Sequence, residues 1–375
     1  MSRILLLSAS AGAGHTRAAQ AVEEAAKARF PDATIRHEDV LDHVGRAYRK
    51  AYAGSFLQMV NHAPALWGAL YDASDKVADA VEERKVRDKL VRFFDKLEFA
   101  PFRKMVRGFA PDAVISTHFL PAQVFAPSRK KGKDAFRFGL VVTDFDVHAY
   151  WVQPSVDRVC VATEELKFVL AARGVPAERI TVTGIPISAA FSAPHDRAAL
   201  RASLGLTEDR PAVLVMGGGH GVGSLEETVR TVLSCGPADV LAIAGRNEEL
   251  KAVLEKLAPP AGTRLHVFGF VTRIAELMAV ADVAVTKSGG LTTSECLAMG
   301  LPMVVRDPIP GQEERNADFL LEAGAGLKAN GAASLEFKLR SLLNDRERLS
   351  RMSAAARRVG RPQAAAAVLE TVLTI

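Results

Sequence analysis

Cysteine is scarce in this chain: 375 residues carry three, at positions 160, 235 and 296. An odd number, widely spaced and without metal-site histidine patterns, argues against a disulfide framework or a zinc site and fits a reducing cytoplasm. Aromatic residues are also few, 6% of the chain with two Trp and four Tyr. No apolar run reaches the roughly 18 residues that a membrane-spanning helix needs, so nothing is expected to cross a bilayer. The start, MSRILLLSASAGA, imitates a signal peptide. Its apolar stretch is very short, however, and runs straight into an amphipathic helical pattern, as a first βα unit would. Standard nucleotide signatures are missing too. A GxxxxGKS/T loop fails at Ala9 and His15, and GxGxxG fails at Arg17. No short internal repeat is present, and no low-complexity segment beyond alanine-rich helices.

What the chain does have is alternation. Apolar β-rich runs at Ile4 to Leu7, Ala113 to Ser116, Phe138 to Thr143, Arg158 to Ala162 and Ile180 to Thr183 interleave with helical patterns. A second series runs through Ala212 to Met216, Asp239 to Ala244, Leu265 to Phe268, Val283 to Thr286 and Met303 to Arg306. Such alternation predicts parallel sheets covered by helices, and the length predicts two such domains. The linker is expected at Gly184 to His195, where glycine and two prolines interrupt both patterns. Residues Tyr48 to Ala80 break the alternation and read as an irregular, partly helical insertion with an apolar face, either core or lipid-touching.

Charge is uneven. The formal net charge of +5 lies in residues 1 to 190, where 27 Lys and Arg meet 22 acids. Nine basic residues face three acids between Arg84 and Arg107, and five more stand at Arg129, Lys130, Lys131, Lys133 and Arg137. Interleaved with Phe93, Phe94, Phe99 and Phe102, this reads as a surface for anionic lipid or as a plain solvated helix face. No nucleic-acid fold signature accompanies the charge, so no nucleic-acid partner is expected.

Three loops lie where phosphates bind, between a strand and a helix. The first, SASAGAGH at 8 to 15, carries His15 where a phosphate loop has lysine. Gly12 and Gly14 allow close backbone approach, and a helix N-terminus disfavours protonation of a histidine placed there. That suits a neutral imidazole acting as a base; the plainer reading is a helix cap or a core hydrogen bond. The second loop is MGGGHGVGS at 216 to 224, and the third is Lys287-Ser288-Gly289-Gly290 at the start of a helix. Lysine beside two glycines can meet a diphosphate with charge and backbone N–H groups together. Glu295, one or two turns on, is placed to accept hydrogen bonds from ribose hydroxyls. PIPGQEERNADF at 308 to 319 puts amide and carboxylate side chains on a glycine turn, a composition suited to sugar hydroxyls. His118 and His220 read equally as site residues or satisfied loop histidines, and Trp67 and Trp151 as plain core.

Taken in order, SASAGAGH, VVTDFDVHAYWVQPSVDRVCVATEE at 141 to 165, VTGIPI at 182 to 187, MGGGHG at 216 to 221, TKSGGLTTSE at 286 to 295 and PGQEERNA at 310 to 317 carry a resemblance along the whole chain. The chain resembles the monogalactosyldiacylglycerol synthase and processive diacylglycerol glucosyltransferase family, which shares its C-terminal pattern with the glycosyltransferase that makes the bacterial peptidoglycan lipid intermediate. The resemblance implies an α/β chain of GT-B fold, two Rossmann-like doubly wound domains facing a cleft. Residues 1–187 would form the acceptor domain and 195–361 the donor domain, with a C-terminal helix at about 362–375 crossing back to the first. It implies His15 as general base and Gly12, Gly14 and His118 at the acceptor side. Gly218, Gly219 and Ser288 to Gly290, with Lys287, would hold the donor diphosphate. Phe270 and its neighbours would hold uracil, Glu295 ribose, and Gln312 and Glu313 the transferred sugar.

The expected reaction moves glucose or galactose from a UDP-sugar to a lipid, diacylglycerol foremost, with inversion to a β-glycoside. Asp144 is a candidate to orient His15. Asp144-Phe145-Asp146 is literally a DxD, but the resemblance implies metal independence, so no metal and no cofactor is expected. The enzyme is expected in the cytoplasm, peripheral on an anionic membrane surface. The competing readings are an N-acetylglucosaminyltransferase acting on a lipid-linked carrier, a UDP-sugar 2-epimerase and a non-catalytic lipid-surface protein. Small departures from the family, Ala11 and Ala13 in the first loop and Ser288 where some members have proline, remove no reacting group.

Overall fold

The computed structural model describes residues 2–10, 12–50, 52, 68–69, 73, 75, 98–217 and 225–374. The chain forms two compact units, one made of Met1–Ala189, Pro310–Gln312 and Gln363–Ile375, the other of Ala190–Ile309 and Glu313–Pro362. Most of the Tyr48 to Ala80 insertion, and Arg84 to Lys96 of the basic stretch, lie outside the described residues, as do Gly218, Gly219 and His220.

In the first unit the strands are β1 (Arg3–Ser8), β2 (Thr34–Asp39), β3 (Ala113–Ser116), β4 (Arg137–Val141), β5 (Arg158–Val161) and β6 (Ile180–Val182), with helices α1 (Ala13–Arg29), α2 (Ala100–Phe109), α3 (Phe119–Arg129) and α4 (Glu164–Ala172). The sheet order is β2-β1-β3-β4-β5-β6, and every pairing is parallel. The central runs are buried on both faces: Leu5, Leu6 and Leu7 have no exposed surface. A strand covered by helices on both sides must be apolar on both sides, which is why these segments read as continuous rather than alternating runs.

The second unit holds β7 (Ala212–Met216), β8 (Asp239–Ile243), β9 (Arg264–Phe268), β10 (Val283–Thr286), β11 (Met303–Arg306) and β12 (Gly326–Ala329). Its helices are α5 (Arg197–Ser203), α6 (Leu225–Leu233), α7 (Glu248–Leu254), α8 (Ile274–Val280), α9 (Gly290–Met299), α10 (Gln312–Glu322), α11 (Gly331–Leu343) and α12 (Arg346–Val359). Its order, β12-β11-β10-β7-β8-β9, is that of a Rossmann sheet.

Two strands escape the sequence reading. β2, TIRHED, has one apolar side chain and lies at the sheet edge, where half-exposed positions tolerate polar residues; β12, GLKA, is the short opposite edge of the second sheet. Elsewhere the difference is one or two residues at strand ends: β4 stops at Val141, and Thr143 is part of the loop beyond it.

The last helix, α13 (Ala364–Leu373), belongs to the first unit. Val368, Leu369 and Val372 are fully buried in one cluster with Ile4, Leu6, Val22, Ile115 and Val141. Each such side chain contributes about 1.5–3 kcal/mol of burial. The approach is close enough that a Cβ at Gly139 on β4 would overlap Val372. Glycine there is a packing requirement.

Candidate active site

In a doubly wound sheet, ligands gather outside the carboxyl ends of the strands where the order reverses. In the first unit that point lies between β1 and β3, so the segments after Ser8 and Ser116 are its rim. The chain does not stay a loop to Gly14: α1 starts at Ala13, capped by Gly12 in extended conformation, so Gly14 and His15 sit in its first turn. No side chain caps this helix. Its first amides are therefore left for a ligand or solvent, whereas α3 and α4 are capped by His118 and Thr163. A Cβ at Gly12 or Gly14 would meet nothing within 4 Å, and neither has a positive φ, so what these glycines provide is clearance.

His15 is held by the neighbouring strand ends. Its Nδ1 lies 2.8 Å from the Thr117 carbonyl oxygen and 3.0 Å from Thr143 Oγ1. Thr117 Oγ1 in turn donates to the His15 carbonyl at 2.8 Å. Because a carbonyl can only accept, Nδ1 carries the proton and Nε2 keeps its lone pair. Burial lowers the His15 pKa, partly opposed by the Thr117 hydrogen bond, so the neutral ring is favoured, and Nε2 makes no hydrogen bond among the described residues. His118 packs edge-on against it, ring centres 4.7 Å apart at 82°. Burial, and secondarily His15, push the His118 pKa well below the ordinary value. Trp151 stands 6.3 Å from His15 and 6.4 Å from His118. It is 5% exposed, yet its place beside both histidines makes it more than distant core. Asp144 is partly exposed and directly follows Thr143. Sequence reasoning missed Thr117 and Thr143, which carry no chemical signature of their own.

In the second unit the order reverses between β7 and β10, and the segments after them are the glycine loop from Gly217, mostly outside the described residues, and Lys287-Ser288-Gly289. Gly289 caps α9 without a side-chain bond, as Gly12 caps α1. Lys287 is half-buried; burial lowers its pKa, while Glu313 and then Asp307 act to raise it. No ion pair is made by Lys287 among the described residues. A desolvated ammonium beside bare helix amides is a receptor for an anion. Ser288 is fully buried, its hydroxyl donates to the Glu313 carbonyl at 2.6 Å, and Asn316 Nδ2 donates to its carbonyl at 2.9 Å. Its side chain is thus committed to the fold, and what it offers a ligand is its backbone amide.

Glu295 lies within α9 and is 2% exposed. Burial raises the Glu313 pKa, and Glu313 accepts from the Ile309 amide at 2.8 Å. Gln312 opens α10 and is counted with the first unit. Phe270 is 61% exposed, and the Arg246 guanidinium, unnoticed in the sequence, lies over its ring at 4.7 Å. Among the described residues no three His, Cys, Asp or Glu side chains gather as metal ligands, and no helix is long and apolar enough to cross a membrane.

Comparison with known proteins follows the same division. Residues 15–187 match the Monogalactosyldiacylglycerol (MGDG) synthase family, and residues 212–368 match the Glycosyltransferase family 28 C-terminal domain. A processive diacylglycerol beta-glucosyltransferase of Bacillus mycoides (strain KBAB4) is 30% identical over 99% of this chain and 93% of its own. Among solved structures, Acinetobacter baumannii MurG aligns over the whole of both chains at 16% identity with a TM-score of 0.64. Anabaena Alr3699/HepE in complex with UDP-glucose does so at 15% identity and a TM-score of 0.57. These structures share the fold, and the full-length relationship at 30% identity carries the family: the chain belongs to the GT-B glycosyltransferases represented by processive diacylglycerol beta-glucosyltransferase.

Proposed function

We propose that this glycosyltransferase moves a hexose, glucose or galactose, from a UDP-sugar to the hydroxyl of a lipid, diacylglycerol foremost, giving a β-glycosyl lipid by inversion and without a metal ion. The observation that carries the reading is His15, a neutral imidazole at the carboxyl ends of β1 and β3 with Nδ1 tied to Thr117 and Thr143 and no hydrogen bond to Nε2 among the described residues. Nε2 takes the proton of the acceptor hydroxyl as its oxygen bonds to the anomeric carbon. The bond from that carbon to the diphosphate breaks on the opposite side, and its electron pair leaves with UDP. Lys287 and the amides at the start of α9 meet the charge that develops there. The relatives' activity on diacylglycerol and the neighbour's UDP-glucose support the choice of substrates.

The basic residues from Arg84 to Arg107 and from Arg129 to Arg137 suit attachment to the anionic inner face of the cell membrane, a salt-sensitive association lost when the first group is neutralised. The deciding measurement is UDP release from a panel of UDP-sugars in EDTA, with and without phosphatidylglycerol vesicles containing diacylglycerol. Release that needs the lipid and prefers UDP-glucose or UDP-galactose supports the proposal. Release only from UDP-N-acetylglucosamine with a lipid-linked carrier moves the assignment to that rival reaction, and loss of activity in EDTA removes metal independence.

A further inference from the structure

Beside the base stands a second imidazole whose protonation is fixed in the opposite sense. His118 caps α3, and its Nδ1 accepts from the Leu120 amide at 3.1 Å. An amide N–H can only donate, so this Nδ1 is the lone pair and the proton of the neutral ring sits on Nε2. At His15 the Thr117 carbonyl forces the reverse, proton on Nδ1 and lone pair on Nε2. Burial keeps both rings neutral, and their proximity makes a proton on one costlier for the other. The two rings are neighbours, edge to face with centres 4.7 Å apart.

We propose that His15 and His118 form a two-point clamp for a single alcohol hydroxyl, His15 Nε2 accepting its proton and His118 Nε2–H donating a hydrogen bond to its oxygen. Only a group that donates and accepts at one atom satisfies both partners. A carboxylate or phosphate would face the His15 lone pair, and an ammonium would face the His118 N–H. The clamp therefore selects a neutral alcohol. Its surroundings agree: Phe119 lies 4.2 Å and Tyr52 6.2 Å from His118, ring centre to ring centre, and Trp151 flanks both histidines. Aromatic faces suit the carbon skeleton around such a hydroxyl. During transfer the hydroxyl O–H bond breaks toward His15, the oxygen bonds to the anomeric carbon, and the leaving pair departs with the diphosphate. His118 keeps its proton and holds one oxygen lone pair, leaving the other to attack.

The role in transfer rests on the proposed function, but the paired tautomers do not, so two measurements separate them. Nitrogen-15 NMR of the intact protein above neutral pH should show His15 protonated at Nδ1 and His118 at Nε2; the same tautomer at both rings overturns the clamp. For transfer, His118→Ser keeps a side-chain oxygen to cap α3 and removes the ring N–H. It should lower kcat/KM for diacylglycerol in phosphatidylglycerol vesicles about tenfold, the worth of one hydrogen bond, with the UDP Kd unchanged. A kcat/KM within twofold of the parent, or a UDP affinity that falls in step, overturns the role of His118. Opposed tautomers in a protein that transfers no sugar to diacylglycerol would leave the clamp standing and sink the assigned acceptor.

Discussion

At His15 the deciding atoms belong to residues that carry no chemistry of their own, a Thr117 carbonyl 102 residues away and a Thr143 hydroxyl 128 residues away. The histidine itself was legible, because it stands in a phosphate-loop position that asks for lysine. Its tautomer was not, since two separate strand ends had to meet it. His15→Ala should abolish transfer and leave the UDP Kd close to normal, measured by calorimetry; a normal rate in that variant excludes the role. The lowered pKa also fixes the acid limb of the rate profile. The base stays neutral until the pH falls below the ordinary histidine value, so kcat/KM should hold through pH 6.5 and decline only beneath it. Stability moves the same way. With both folded-state pKa values depressed, the unfolded chain takes up protons below about pH 6.5 that the folded chain refuses. Each of the two histidines then costs about 1.4 kcal/mol per pH unit until it titrates in the folded state, which denaturant midpoints at pH 7 and pH 5.5 would register.

Elements were readable where the fold buries them and unreadable where it does not. β1, β7 and β10 stand out as apolar runs because helices cover both faces, whereas the edge strand TIRHED hides its role behind five polar side chains. Loop and helix were also confused at the first motif, because glycine in a first helical turn looks like a turn residue. That confusion has a testable side. Gly14→Ala should leave stability unchanged or raise it by up to about 1 kcal/mol, since alanine favours helix. The new Cβ meets nothing, so if transfer nevertheless drops several-fold, the space it fills is used by substrate. At the other glycine-capped helix, Lys287→Ala should weaken UDP binding about tenfold to a hundredfold, the range of a charge-assisted hydrogen bond, with little change in melting temperature. Unaltered UDP affinity would separate Lys287 from the diphosphate.

On the scale of the whole molecule, two parallel sheets followed from the alternation of patterns, five strands of the six in each, and the return of α13 to the first unit was an expectation of the resemblance alone. No pattern within Ala364–Leu373 names its partner, because an apolar helix face fits many grooves, and the room for Val372 is made by Gly139 on a strand far away in sequence. Leu369 is fully buried against the first sheet, so Leu369→Ala should cost about 2–5 kcal/mol, read from chemical denaturation. The loss should appear in the transition of the first unit, and a loss confined to the second would contradict the packing. The same feature bears on how the protein is made. All six strands of the first sheet have been translated by Val182, but the helix that seals its core is translated only after all the strands of the second sheet. At about 5–20 residues per second, the nascent sheet waits roughly 10–40 s with its apolar face uncovered. During that interval the chain most needs a chaperone, and a stalled ribosome would leave an aggregation-prone fragment rather than half an enzyme.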